Sequence, residues 1–147
     1  MKVLLLALSC LWAFASPAWE TDFDKARKLA ADKHHLILLN FSGSDWCGPC
    51  IRLKTEIFDD KAFLTFADQE LILLNADFPR SRKNQLSKEQ QKRNDALADK
   101  YNPEGHFPYT LLLDENGKVL KTWEGFPNTT PDGFIDQVKN SAHAAGK

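Results

Sequence analysis

Cysteine is scarce in this sequence: the chain of 147 residues holds three, Cys10, Cys47 and Cys50. That is too few for a small scaffold stapled by several disulfides, and too few for an all-cysteine zinc site. The four histidines, His34, His35, His106 and His143, do not fall at the usual ligand spacings, so no metal is expected. An excess of either charge is also missing. Nineteen Lys and Arg stand against 20 Asp and Glu, for a net charge of −1. Such a balance gives no general pull toward nucleic acid or an anionic membrane, and no nucleic-acid partner is expected. There is no internal repeat, low-complexity segment or long linker. What remains is an ordinary globular mixture, 43% hydrophobic and 27% charged, with the length of one domain able to bury its own core.

The first residues read as an address. Met1-Lys2 is a short positive start, Val3 to Trp12 is almost wholly apolar, and Ala13-Phe14-Ala15 supplies a small-x-small cleavage pattern. The apolar run is short for a membrane span. Residues 1–15 are therefore expected to be a cleaved signal peptide and residues 16–147 the mature domain. Ala7-Leu8-Ser9 is a poor lipoprotein site, so Cys10 is expected to leave with the peptide. The chain ends Ala144-Ala145-Gly146-Lys147, without an endoplasmic-reticulum retention signal. A bacterial periplasm is the expected compartment, ahead of secretion or a lipid anchor. A monomer is expected. Disulfides persist in such a compartment, and the mature chain keeps only Cys47 and Cys50.

Along that chain, helical spacing of Phe23, Ala26, Leu29 and Ala30 predicts a first helix, with Thr21 able to cap it. Leu36 to Phe41 and Leu71 to Ala76 are short continuous apolar runs, as buried strands require. Between them, a helix is expected from Cys47 to about Phe58, with Ile51, Leu53, Ile57 and Phe58 inward, then a shorter one capped by Asp59 or Asp60. Ser87-Lys88-Glu89-Gln90 fits a capping box opening a very polar helix to about Tyr101. Tyr109 to Leu113 and Val119 to Trp123 read as strands around the turn signal Asn116-Gly117. Thr130 and Pro131 open a last helix, and the tail from Ala142 is expected to fray. Strand–helix–strand followed by a hairpin predicts an α/β fold: a mixed sheet of about four strands with helices on both faces.

The chemistry concentrates at Trp46-Cys47-Gly48-Pro49-Cys50. Cys47 falls at a strand–loop–helix junction, where unpaired helix N–H groups and the positive end of the helix dipole favour a thiolate. The thiolate is the form that attacks a disulfide. Cys50 lies one helical turn on, so its sulfur can reach back; it is expected to be the more buried and less nucleophilic of the two. Gly48 permits close approach of backbone and partner. Pro49 stiffens the helix start and removes a competing donor. Trp46 offers a flat apolar surface beside the sulfur. A merely structural bridge here would close a very small loop and constrain the unfolded chain little, so a redox role is the better reading.

These residues resemble the thioredoxin family: Trp46 to Cys50 is identical to its active-site motif. The resemblance extends over roughly residues 22–143. Leu74-Asn75-Ala76-Asp77 resembles the end of the family's next central strand, Phe107-Pro108-Tyr109-Thr110 the segment with its cis-proline, and Asn116-Gly117-Lys118-Val119 its hairpin. The loop Ser42 to Trp46 looks most like exported bacterial members. The resemblance implies a thioredoxin-like fold, Cys47 and Cys50 as the catalytic pair, and a substrate groove of Trp46, Gly48, Pro49, Phe107 and Pro108. It also implies a cis bond before Pro108, facing the Cys47 sulfur, with no cofactor beyond the redox-active disulfide. Two departures stand out. Thioredoxins usually carry a buried Asp where this chain has Asn40, and a paired Lys where it has Leu73, leaving the proton acceptor for Cys50 open; Asp45 and Glu124 qualify by charge alone. The stretch Arg80–Lys100 is longer and more polar than in a minimal thioredoxin.

The expected activity is thiol–disulfide exchange on protein thiols and disulfides. Gly48-Pro49 favours a reductant by resemblance, which outside the cytoplasm needs a membrane electron donor. Two alternatives stay open: a peptide-binding or assembly module with a stable disulfide, and a disulfide isomerase or oxidant.

Overall fold

The computed structural model describes residues 17–147. The expected signal peptide and Cys10 lie outside the described residues. The apolar runs Leu36–Ser42 (β1) and Leu71–Asp77 (β2) pair in parallel, from Leu36 opposite Leu71 to Ser42 opposite Asp77. Tyr109–Leu113 (β3) lies antiparallel to β1, and Val119–Glu124 (β4) antiparallel to β3. The sheet order is β2-β1-β3-β4, so β1 is central and has no solvent face.

That position explains the unbroken apolar run. Ile37, Leu39 and Phe41 pack on Ala26 and Ala30 of Phe23–Lys33 (α1) and on Leu97 and Tyr101 of Lys88–Tyr101 (α4). Leu38, with Leu73 and Leu112, meets Phe63 of Lys61–Glu70 (α3), Phe134 of Pro131–Ala144 (α5), and Leu53 of Gly48–Leu53 (α2). Side chains alternate across a strand, so a central strand needs helices on both faces. Each fully buried Leu or Phe contributes about 1.5–3 kcal/mol from leaving water. The expected α/β architecture is the observed one.

Local differences have local causes. Asp22, not Thr21, caps α1, its carboxylate accepting from the Lys25 N–H at 3.0 Å. The helix begun at Cys47 is not uniform. After α2 comes a π-helical turn, Lys54–Phe58, in which the Asp59 N–H donates to the Lys54 carbonyl. Ile57 and Phe58 are buried, but Ile51 points outward and is 45% exposed. Ser87 caps α4, yet the Gln90 amide does not return to it; it donates to the Thr21 carbonyl and to Asn94. Asn94 itself is buried on the inward face of α4, with Leu97 and Tyr101, and donates to the Asp77 carbonyl at 2.8 Å. At the hairpin, the Asp114 carboxylate accepts from the N–H groups of Asn116 and Lys118. Gly117 has φ +83°, and a Cβ there would stand 2.7 Å from the Tyr101 hydroxyl. The tail is tied down rather than frayed: α5 continues to Ala144 and Lys147 pairs with Glu115 at 3.1 Å.

One element has no periodic signal. Glu20 bridges Leu74 in parallel on the free side of β2, and the Trp19 ring lies 5.2 Å from that of Phe58. A single paired residue is too short to read from alternation.

Candidate active site

β1 ends at Ser42 and the chain turns sharply into α2. The Gly43 carbonyl accepts from the N–H groups of Trp46, at 3.2 Å, and Cys47, at 2.9 Å. Cys47 thereby becomes the N-cap of α2, with extended backbone, and its sulfur accepts from the Cys50 N–H at 3.3 Å. The two cysteines are joined in a disulfide with Cα atoms 5.2 Å apart. Pro49 sits in the first turn of α2, where its missing N–H leaves no helical bond unmade. Gly48 and Pro49 are exposed, but the burial difference expected between the sulfur carriers is absent: Cys47 and Cys50 are each 5% exposed. The bridge holds both in one place.

Trp46 is gripped from several sides. Its Nε1 donates to the Phe78 carbonyl at 2.7 Å, and its ring meets Phe107 edge-on at 5.4 Å. The Arg80 guanidinium lies over the ring, 3.7 Å from its centroid. Phe78 also meets Phe107 at 5.6 Å. Together with Gly105 these residues line an open cavity of about 600 Å³ beside the motif. A larger cavity of about 910 Å³, lined in part by His34, His35 and Leu36, opens at the other end of β1. Gly43 makes room for the ring, since a Cβ there would stand 2.5 Å from Nε1 of Trp46.

Beneath the junction, on the sheet face that carries α2, the register aligns a polar ladder. Asn40 is opposite Asn75 on β2 and Thr110 on β3, and Ser42 is opposite Asp77. The Thr110 hydroxyl donates to Asn40 Oδ1 at 3.0 Å, and Asn40 Nδ2 donates to Asn75 Oδ1 at 3.2 Å. Asp77 accepts from the Ser44 N–H at 2.9 Å and the Ser44 hydroxyl at 2.6 Å, and lies 3.2 Å from the Ser42 hydroxyl. Asn40 and Thr110 are buried, so these bonds satisfy groups that water cannot reach. An amide at Asn40 holds the strands together but cannot take a proton from Cys50.

Neither acid singled out by charge is free for that task. Asp45 accepts from the Arg80 and Ser81 N–H groups and from Asn84 Nδ2, all at 2.9 Å, so it clasps the segment that carries Arg80. Those bonds, the Arg80 N–H foremost, hold its carboxyl below the usual carboxylate range. Glu124 lies 3.2 Å from Nδ1 of His106, whose Nε2 meets Glu104 at 2.8 Å. The Glu104 hydrogen bond, helped by the charge of Glu124, raises the His106 pKa above 6.5.

His106 precedes the bond between Phe107 and Pro108, which is cis, as the resemblance implies. Asn102 bonds the His106 backbone both ways: its Nδ2 donates to the carbonyl and its Oδ1 accepts from the N–H, each at 2.9 Å. The Trp46–Phe107 contact brings this loop against the motif from more than fifty residues away in sequence. The structure thus brings Phe107 against Trp46, next to Cys47, Gly48, Pro49 and Cys50, while Pro108 is buried. It adds Gly43, Phe78 and Arg80, which sequence reasoning missed. Only the basic character of the Arg80 segment hinted at the last.

Comparison with known proteins agrees with this geometry. The model of the thioredoxin-like domain matches residues 23–139. A disulfide bond reductase, DsbH, of Chlamydia pneumoniae is 33% identical over 129 residues, covering 88% of this chain and 75% of that protein. The thioredoxin-related protein DsbJ of the same organism is 24% identical, over 84% of this chain but only 34% of its own length. A solved DsbH oxidoreductase superposes with a TM-score of 0.80 at 29% identity, covering 97% of this chain and 95% of that one. The oxidised C-terminal domain of DsbD from Neisseria meningitidis shares the fold, with a TM-score of 0.55 at 20% identity, over 81% of this chain and 89% of its own. With its mixed sheet, its Cys47–Cys50 disulfide at the start of a helix and its match across residues 23–139, the chain belongs to the thioredoxin-like family and is a thiol–disulfide oxidoreductase.

Proposed function

We propose that the protein reduces disulfides of exported polypeptides in a bacterial periplasm, and that it is recharged by a dithiol donor in the membrane. The observation that carries this reading is Cys47 at the N-cap of α2, its sulfur taking the Cys50 N–H, in a chain 33% identical to a protein named a disulfide bond reductase. In the reduced protein, the Cys47 thiolate attacks one sulfur of a substrate disulfide. The substrate S–S bond breaks, its other sulfur leaves as a thiolate and takes a proton, and a mixed disulfide forms. Cys50 then gives up its proton to water and attacks the Cys47 sulfur. The second substrate thiolate leaves and the Cys47–Cys50 bridge closes. Two electrons have passed from the dithiol to the substrate.

The parts divide the work. The Cys50 N–H steadies negative charge on the Cys47 sulfur, as donors at a helix start do. Trp46 and Phe107 form the surface on which the substrate chain lies, beside the exposed Gly48 and Pro49, while Pro108, expected in that groove, is itself buried behind its cis bond to Phe107. With Asn40 in place of a carboxylate, water is the base for Cys50.

Equilibration with glutathione buffers tests the direction. A potential near that of thioredoxin, about −270 mV, is expected; a value near about −120 mV makes the protein a disulfide donor and overturns the reductant reading. Cys50→Ser is expected to trap a mixed disulfide with a peptide substrate, and Cys47→Ser to trap none. If Cys47→Ser keeps full function, the protein works as a binding module with a stable bridge.

A further inference from the structure

The segment after β2 departs from the charge balance of the chain as a whole. Residues 78–88 contain Arg80, Arg82, Lys83 and Lys88 and no acid, in a protein whose net charge is −1. Arg80, Arg82 and Lys83 are exposed, and among the described residues none of them forms a salt bridge. The nearby carboxylates are otherwise engaged. Asp45 accepts from two backbone N–H groups and Asn84. Asp77 accepts from Ser44, and Glu104 and Glu124 flank His106.

Asp45 also fixes where this charge sits. By holding the Arg80 and Ser81 N–H groups it draws the segment over the motif, and the guanidinium stacks on Trp46 at 3.7 Å. A guanidinium over a ring face can still present its N–H edge to a carboxylate. Arg80 is one of the residues lining the cavity, with Trp46, Phe78, Gly105 and Phe107. Trp46 is the immediate neighbour of Cys47, so a chain whose sulfur is attacked by Cys47 passes this cavity within a few residues.

We infer that Arg80 is a specificity-determining residue, and that the preferred substrate is a polypeptide disulfide with an Asp or Glu a few residues from the reacting cysteine. The inference rests on the proposed reductant reading of the site and names the substrate class it takes. The aromatic walls hold the apolar part of the chain, and the Arg80 edge pairs with the acid. A lysine at the same substrate position meets the charge of Arg80, in a segment that carries Arg82 and Lys83 and no acid, and is repelled.

The test uses the reduced protein and three peptide disulfides identical but for a Glu, Gln or Lys beside the cysteine, with hydroxyethyl disulfide as a neutral probe. At low salt the Glu peptide is expected to be reduced about fivefold faster, as kcat/KM, than the Lys peptide, as one exposed ion pair allows. Added salt is expected to shrink the ratio, since the screening length falls to about 3 Å at 1 M. The ratio is expected to fall to about one in Arg80→Gln and to survive in Arg80→Lys, whatever the absolute rates. Equal rates for the three peptides, or a preference unchanged in Arg80→Gln, overturn the inference while reduction of hydroxyethyl disulfide leaves the reductant reading standing. Failure to reduce any of the four disulfides refutes the reductant reading on which the inference rests.

Discussion

Replacing Gly43 with Ala adds a single methyl group, yet the surroundings make it one of the most disruptive small changes available. The new Cβ would stand 2.5 Å from Nε1 and 2.6 Å from Cζ2 of Trp46, and closer still to Cε2. The backbone cannot easily yield, because the Gly43 carbonyl holds the N–H groups of both Trp46 and Cys47. The ring must therefore leave. It then loses its hydrogen bond to the Phe78 carbonyl, its edge-on contact with Phe107 and its stack with Arg80. A net hydrogen bond is worth about 1 kcal/mol, an aromatic pair about 0.5–1.5 and a solvent-exposed cation–π contact about 0.5–1. Some of this returns as the freed groups are hydrated, so a loss of about 2 kcal/mol is expected. For a domain of this size that lowers Tm by about 6–10 °C. Gly48→Ala serves as the steric control, since a Cβ there meets nothing within 4 Å. Thermal unfolding followed by circular dichroism gives both shifts, and tryptophan emission reports the ring. Reduction of peptide disulfides by Gly43→Ala is expected to fall about tenfold, because about 1.4 kcal/mol of groove contacts suffices for that factor. An unchanged Tm with unchanged emission would refute the argument that Gly43 exists to seat Trp46.

The polar ladder and the histidine cluster give two further expectations. Thr110→Val keeps the shape of the side chain but leaves Oδ1 of the buried Asn40 without its 3.0 Å donor, so stability is expected to fall by about 1–3 kcal/mol in chemical denaturation. His106 has its pKa raised in the folded protein by Glu104 and Glu124, so protonation favours the folded state. Its stabilising effect is therefore fully present below its ordinary value of 6.5 and is lost as pH rises through the higher folded value. The Tm difference between wild type and His106→Gln is expected to be positive at acid pH and to vanish on the alkaline side; a difference independent of pH would count against the ion pairs.

Much of the framework was legible in local sequence. Apolar runs at Leu36–Phe41 and Leu71–Ala76 can be satisfied only as strands with both faces covered, and that is how β1 and β2 lie. Asp60, Ser87 and Thr130 cap helices because a short oxygen-bearing side chain reaches N–H groups two or three residues on, a purely local act. The redox pair was legible for the same reason, since one helical turn separates Cys47 from Cys50. Periodicity failed where the period itself changes. A π-helical turn follows Leu53, and the outward face of Ile51 is set by packing rather than by its hydrophobicity.

Sequence alone thus determined the strands, the caps at Asp60, Ser87 and Thr130, the hairpin and the cysteine pair, because each depends on neighbours within a turn or on alternation along a strand. Only the tertiary structure decided what surrounds them. Asn40 meets Thr110 because of antiparallel register, Asp45 reaches across thirty-five residues to hold Arg80, and Phe107 arrives at Trp46 from a distant loop. These contacts join segments remote in the chain, and no local pattern encodes which remote side chain will come to rest against a given ring or amide. That is why the bridged cysteine pair could be named before the fold was known, whereas the aromatic and cationic wall beside it could not.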